Sequence, residues 1–344
     1  MTDTLTEQSE LIEPAWWTGT PAVDPAAYQL DARDFSDDHE LRVAMRDTFD
    51  RIGLVHVVNT GLTDHADMRL LAHHVLDGQM PYRAGANPRD VLAPNVYEIG
   101  APLQAWLHYH HEMAYVATST TMLGFLCKRE LPGRGATFVS DNVRATEAML
   151  ETDFGRKLAE LGVCYRRNLT DREAYAGRDP IGVYNHWQQS LGTDDPGEAE
   201  ARAHGQGLET RWGADRLLET RFYTSAFEYF PALDRNLLYS SVADHSMWFD
   251  TWPLVEHLPA RERPLWMTFG DDTDFTPDDL RTFVDVYDRF GSPIDWRVGD
   301  VAVICNYRFA HGRPAIHLGE GEERELGVLL GQPFDRVGTR PDTW

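Results

Sequence analysis

Apolar residues recur at helical spacing across residues 38–51, where Leu41, Val43, Ala44, Met45, Thr48 and Phe49 predict an amphipathic helix. The run passes into residues 52–58, a β-rich stretch closed by Asn59-Thr60-Gly61. A second helix is expected after it, with Thr63 as N-cap and Met68, Leu70, Leu71 and Val75 on its buried face. From residue 95 onward the pattern shortens to strands and turns. The strands expected are 95–99, 107–115, 121–128, 137–140, 163–168, 220–228, 237–242, 265–270, 301–311 and 324–331. Short strands of mixed spacing predict a mainly β fold with flanking helices, a jelly roll or sandwich. The clearest interruption begins at Thr276-Pro277-Asp278-Asp279, an N-cap followed by a first-turn proline and acids, and runs through Phe283, Val286 and Tyr287 to a stop at Gly291. The acidic stretch 193–213 reads as a helical insert and a lid.

Nothing in the 344 residues repeats, and no Gly/Ser linker or low-complexity tract asks for a boundary, so a single domain over 1–344 is expected. Residues 1–35, with Trp16 and Trp17, read as a polar tail and an arm packed on the body. The chain holds 32 Lys plus Arg against 55 Asp plus Glu, a formal charge of −23. That balance argues against nucleic acid and anionic membranes as partners, since both need basic clusters and the only lysines are Lys128 and Lys157. It also disfavours an acidic carrier protein, leaving a free small molecule as the expected partner. Cys127, Cys164 and Cys305 are widely spaced and form no C-x-x-C pair, which fits neither a disulfide framework nor a zinc ribbon. With a polar stretch at residues 1–10 and no run near the ~18 apolar residues of a membrane span, a cytoplasmic protein is expected.

The densest polar chemistry is Leu107-His108-Tyr109-His110-His111-Glu112-Met113-Ala114-Tyr115. On a strand, alternation would put His108, His110 and Glu112 on one face and Tyr109, His111, Met113 and Tyr115 on the other. A histidine and a carboxylate two residues apart can then reach one cation, as in half of a two-His, one-carboxylate triad around Fe(II). The short motif is weak alone, because about two His-x-acid matches are expected by chance in this composition. The other match, His65-Ala66-Asp67, is read as surface and capping chemistry. A thermolysin-like zinc helix is excluded, since His111-Glu112-Met113-Ala114-Tyr115 lacks the second histidine. Support comes from the far end, where the turn at Gly299-Asp300 launches a long apolar run ending on His311-Gly312-Arg313. Thirteen residues beyond His311 comes Arg324, a guanidinium suited to the distal carboxylate of an α-keto diacid.

These features resemble the Fe(II)/2-oxoglutarate dioxygenases of the taurine dioxygenase superfamily, and His-x-Glu-Met-Ala-Tyr is most similar to clavaminate synthase and related natural-product hydroxylases. The resemblance runs from about Ile52 to Gly331 and includes Tyr97, Gly135-Ala136-Thr137, the Trp296 to Asp300 turn and His311-Gly312-Arg313. It implies a double-stranded β-helix, with His110, Glu112 and His311 as metal ligands and Thr137 and Arg324 as 2-oxoglutarate ligands. It also implies Fe(II), 2-oxoglutarate and O2 as the cofactor and cosubstrates. The chain departs from the family in Arg134-Gly135, where Gly-Gly is usual, in Cys305-Asn306, where an acid usually precedes the Asn, and in His111 between the two ligands. The presence of Glu112 argues against the halogenating branch.

Candidate substrate contacts are Tyr97, His108, Arg221, Tyr223 and Arg313. Together with the resemblance and the surplus of aromatics, they suggest a small amino-acid-like or carboxylate-bearing molecule, and the resemblance implies its hydroxylation in natural-product biosynthesis; desaturation, cyclisation or epoxidation would need only another substrate pose. Two other classes stay open at this level. One is a non-catalytic jelly roll that binds a small ligand. The other is a cupin-like metal dioxygenase using His108, His110 and His311 without a ketoacid.

Overall fold

The computed structural model describes residues 21–67, 69–71, 78–82, 89–99, 101–176, 185–251 and 256–340. Asp37 caps helix α1 (Asp38–Ile52), its carboxylate accepting from the main-chain N–H of His39 and Glu40, and Leu41, Met45, Thr48 and Phe49 form the buried face. Gly53 ends it at φ 83°, where a Cβ would be strained and would also fall 2.7 Å from Cδ of Arg308, so glycine is favoured. Beneath the helix lies the main sheet. Its order is β1 (Gln29–Asp31), β2 (Leu54–Val58), β16 (Val301–Cys305), β7 (Thr118–Arg129), β18 (Glu325–Asp335), β5 (Val96–Glu98) and β4 (Val91–Ala93), and β3 (Gln79–Met80) also pairs with β18. Every residue of β16 is buried, which is what an apolar run without alternation predicts for a central strand.

A second sheet runs β15 (Gly291–Ile294), β8 (Thr137–Asp141), β17 (Phe309–Arg313) and β6 (Leu107–His110). The third is β10 (Glu209–Trp212), β11 (Leu218–Thr224), β9 (Val163–Leu169) and β14 (Leu265–Phe269), and β12 (Phe227–Phe230) pairs with β13 (Arg235–Leu238). The remaining helices are α2 (Asn142–Leu150), α3 (Asp153–Leu161), α4 (Trp187–Leu191), α5 (Pro196–Gly205), α6 (Val242–Met247) and α7 (Pro277–Asp288). Helix α7 starts in a capping box, Thr276 Oγ1 accepting from Asp279 N–H and Asp279 accepting from Thr276 N–H. It locks onto the second sheet where Ser140 Oγ donates to Tyr287 O at 2.7 Å and the Tyr287 hydroxyl donates to Asn142. Among the described residues no helix is long and apolar enough to cross a membrane.

The architecture is therefore mainly β with flanking helices, as expected, but three long strands break. Residues 107–115 stop pairing at His110, because Met113 takes φ 57° and Ala114 N–H closes a turn on His111 O. Residues 301–311 divide into β16 and β17 around buried Asn306, so one apolar run serves two sheets. Residues 220–228 divide at Ser225, whose Oγ accepts from Phe227 N–H. Two smaller expectations also change. Residues 237–242 pair only as far as Leu238, and Val242 opens α6. Thr63 caps no helix; the chain beyond it turns, burying Leu70 and Leu71, while Met68 and Val75 lie outside the described residues. His65 is no surface group, being buried with Nε2 at 3.1 Å from Glu325 Oε1. Of the 1–35 arm, the described part supplies β1, paired parallel to β2. The insert 193–213 holds α5 but also β10, which completes the third sheet.

Candidate active site

Strand pairing brings the two histidines together. His311 on β17 lies opposite His110 on β6, with ring centroids 4.3 Å apart. The next pair in register is Arg313 with Leu107, so β6 carries one extra residue there, a bulge. The bulge puts Leu107 and His110 on the cavity side and turns His108 away against Trp106, their rings 6.0 Å apart. Glu112 arrives by the turn after β6. Asn306 fixes that turn: its Oδ1 accepts from Glu112 N–H at 2.9 Å and its Nδ2 donates to Glu112 O at 3.0 Å.

His110, Glu112 and His311 each then offer a ligand atom, and these atoms all lie within 4.8 Å of one another. His110 Nδ1 faces the His108 carbonyl at 2.8 Å and must donate to it, which leaves Nε2 with its lone pair for a cation. Burial holds His311 well below the usual imidazole range, with His110 adding to it, so the ring is neutral and can act as a ligand; its Nδ1 has no partner among the described residues. Arg89 Nη2 reaches both oxygens of Glu112, at 3.0 and 3.1 Å. Burial alone would lower the Arg89 pKa; Glu112 beside it wins and holds it above its ordinary value. A two-His, one-carboxylate donor set with open cavity on one side fits Fe(II).

The triad lines a pocket of about 670 Å³ between the main and second sheets. Phe125 of β7 and Val328 of β18 form its apolar wall, and Thr137, Arg313, Arg89 and Asp244 add polar groups. Thr137 Oγ1 accepts from Trp296 Nε1 at 2.9 Å, and Trp296 ends the turn held by Asp300, which pairs with buried His56 at 3.0 Å. Arg324 donates from Nε to Gly135 O at 3.1 Å, and its Nη2 is buried without a partner among the described residues, an orphan donor that a carboxylate would satisfy. Burial pushes its pKa down to about 10.

The other sequence candidates divide. Arg313 lines the pocket, but its Nη1 donates to the carbonyls of Leu103, Ala105 and Pro314 and its Nη2 to those of Ala101 and Pro102. It straps the 101–105 loop. Burial, then Arg324 nearby, pushes it down to about 9. Tyr97 sits on β5 against Tyr82, behind the lining, and His108 is buried outside it, so the three-histidine alternative has no geometry behind it. Arg221 and Tyr223 do not reach the pocket. Arg221 Nε donates to Glu219 at 2.7 Å and the Tyr223 hydroxyl to Asp272 at 2.8 Å, on the outer face of the third sheet. No residue of 193–213 lines the pocket either, because the insert is tied into the third sheet through β10.

Sequence reasoning missed Arg89 and Asp244. Arg89 had no local pattern to betray it. Asp244 did carry a signal: in Ser241-Val242-Ala243-Asp244-His245 an acid and an imidazole close an otherwise apolar run. Its carboxyl is pushed up to about 6 by burial, with His110 pulling it down and Glu112 raising it.

Residues 18–330 match the family described as taurine catabolism dioxygenase TauD, TfdA family. A clavaminate synthase-like protein of Arabidopsis thaliana is 27% identical over 240 residues, 68% of this chain and 69% of that protein. Among solved structures, a taurine dioxygenase from Burkholderia xenovorans aligns with a TM-score of 0.49 at 13% identity, over 92% of this chain and 89% of that one. The structure of AAD-2 in complex with Mn(II) and N-oxalylglycine gives 0.46 at 13% identity, over 92% and 96%.

Proposed function

The chain belongs to the TauD, TfdA family and is an Fe(II)/2-oxoglutarate-dependent dioxygenase, and from that premise we propose that His110, Glu112 and His311 hold its Fe(II) while Thr137 and Arg324 bind 2-oxoglutarate. The observation that carries the assignment is the donor set within 4.8 Å on the pocket wall. When bound, Fe(II) and 2-oxoglutarate supply the oxidising power: O2 is reduced as the ketoacid loses CO2 to become succinate, and a substrate C–H bond is oxidised. The protein's share is placement. Arg324 offers its orphan Nη2 to the distal carboxylate, and Thr137, oriented by Trp296, offers a second polar contact. Phe125, Val328 and Leu107 keep water from the reacting carbon. In this reading the main and second sheets are the two halves of a double-stranded β-helix.

The substrate we propose is an amino-acid-like or otherwise carboxylate-bearing small molecule, hydroxylated in a biosynthetic pathway. With Arg221 outside the pocket, Arg89 is the guanidinium that faces such a carboxylate, and its Nε has no partner among the described residues. The test is succinate release by the purified enzyme with Fe(II), ascorbate and 2-oxoglutarate across a panel of small acids and amino acids. Release should depend on both iron and ketoacid and vanish in His311→Ala. Full activity of that variant would refute the triad.

A further inference from the structure

Asp244 is the charged group of this pocket that the reading above leaves unemployed. It projects from α6 into the lining, and the residue is 9% exposed. Its Oδ1 is buried with no hydrogen-bond partner among the described residues. Its ion-pair neighbour among the described residues, His245 Nδ1, stands 3.9 Å from Oδ2, beyond hydrogen-bond reach. The cations of the lining are committed elsewhere, Arg89 to Glu112 and Arg313 to the 101–105 carbonyls. A buried carboxylate with no hydrogen-bond donor is costly, and the guanidinium groups of Arg313 and Arg89 act on this one only from beyond ion-pair distance. An apolar residue would pack α6 against the pocket more cheaply. What distinguishes an acid here is its ability to receive a cationic ligand.

We infer that Asp244 is the substrate anchor for a cationic nitrogen, so that the substrate carries an ammonium or guanidinium group. The inference rests on the oxygenase reading and narrows its substrate class. An α-amino acid satisfies both unspent atoms at once, its ammonium at Asp244 Oδ1 and its carboxylate at Arg89 Nε. A desolvated charge-assisted pair of this kind also rejects uncharged analogues, because they would leave the acid buried and unpaired.

The experiment uses the Fe(II)-loaded enzyme with 2-oxoglutarate and a panel of L-α-amino acids and agmatine, each beside its N-acylated counterpart, with succinate as the readout. Free amines should drive turnover, and acylating the recognised nitrogen should lower kcat/KM at least tenfold. Asp244→Asn and Asp244→Ala should raise KM for the active amine about a hundredfold while Fe(II) affinity and the thermal midpoint stay near wild type. Equal turnover of an acylated partner, an unchanged KM in both variants, or turnover confined to compounds without a basic nitrogen would overturn the proposal. A loss in the variants that traces to weaker Fe(II) binding would overturn it too, making Asp244 a support for the metal. Failure of the oxygenase reading looks different: no ketoacid-dependent succinate with any compound and no Fe(II) bound by the wild-type protein.

Discussion

Asn306 holds Glu112 from both sides, accepting from its N–H at 2.9 Å and donating to its carbonyl at 3.0 Å. The same amide donates to Thr120 O at 2.8 Å, tying the turn that carries Glu112 to the start of β7. Because Asn306 is also the residue at which the 301–311 run leaves the main sheet, one side chain couples the strand crossover to Glu112. Asn306→Ala should cost ~1–3 kcal/mol through unpaired buried groups. It should also weaken Fe(II) binding, whereas Asn306→Asp, which keeps the acceptor for Glu112 N–H, should be intermediate. Urea titration and an iron titration check the two effects separately.

Glu112 is the partner of a buried guanidinium as well as a proposed iron ligand. In metal-free protein, Glu112→Ala strands Arg89, and breaking such a pair from one side should cost about 3–5 kcal/mol. Removing both, as Arg89→Met with Glu112→Leu, should recover most of it. Denaturation of the metal-free single and double variants measures the difference; equal losses would show that the pair carries no such coupling.

At Gly312, beside His311, a Cβ would fall 2.3 Å from Cε2 of Phe138 and 2.4 Å from the Leu107 carbonyl. One of these is backbone of the paired strand and cannot yield without moving β6. Gly312→Ala should therefore separate His110 from His311, costing on the order of 2 kcal/mol or more and most of the iron affinity. A variant with wild-type metal affinity would show that the sheet gives more than its pairing implies.

Arg324→Ala should raise the 2-oxoglutarate requirement steeply, since a buried charged fork is worth roughly 2–5 kcal/mol. Arg324→Lys should rescue only in part, because an ammonium cannot form two parallel bonds. Arg313→Ala should act differently, lowering stability through the loop it straps. Ketoacid affinity and thermal midpoint, measured on both variants, separate an anchor from a strap.

Burial pushes His108 down to about 3, with His110 adding to it. His111 falls to about 3 from the same burial, against a raising contact from Ser240. Both are depressed below the ordinary 6.5, so the unfolded chain takes up protons first. The stability they contribute is present above pH 6.5 and is lost as pH falls towards 3. Each group adds a slope of ~1.4 kcal/mol per pH unit within that window. His108→Phe should remove one such slope, losing about 2 kcal/mol less than wild type between pH 6.5 and 5. Urea titrations at the two pH values decide it.

The sequence by itself determined the chemistry of this protein. A His-x-Glu pair, a strand-end histidine and an arginine 13 residues beyond it are local facts, and so are the capped helices at 38–52 and 277–288, whose caps and periodicity act within a few residues. Tertiary structure decided which groups share a space. Alternation placed His108 with His110, but a bulge set by pairing with β17 turned it out. Arg221 and Tyr223 look like pocket residues on a strand; their sheet faces Glu219 and Asp272 instead. Arg89 and Asp244, more than 150 positions apart in the chain, line one cavity, and no local pattern in the sequence places them together. Hydrophobic pattern records whether a side chain is buried, and burial is a property of one position. What a buried side chain faces depends on the partner strand, its register and its bulges, which the folded chain alone supplies.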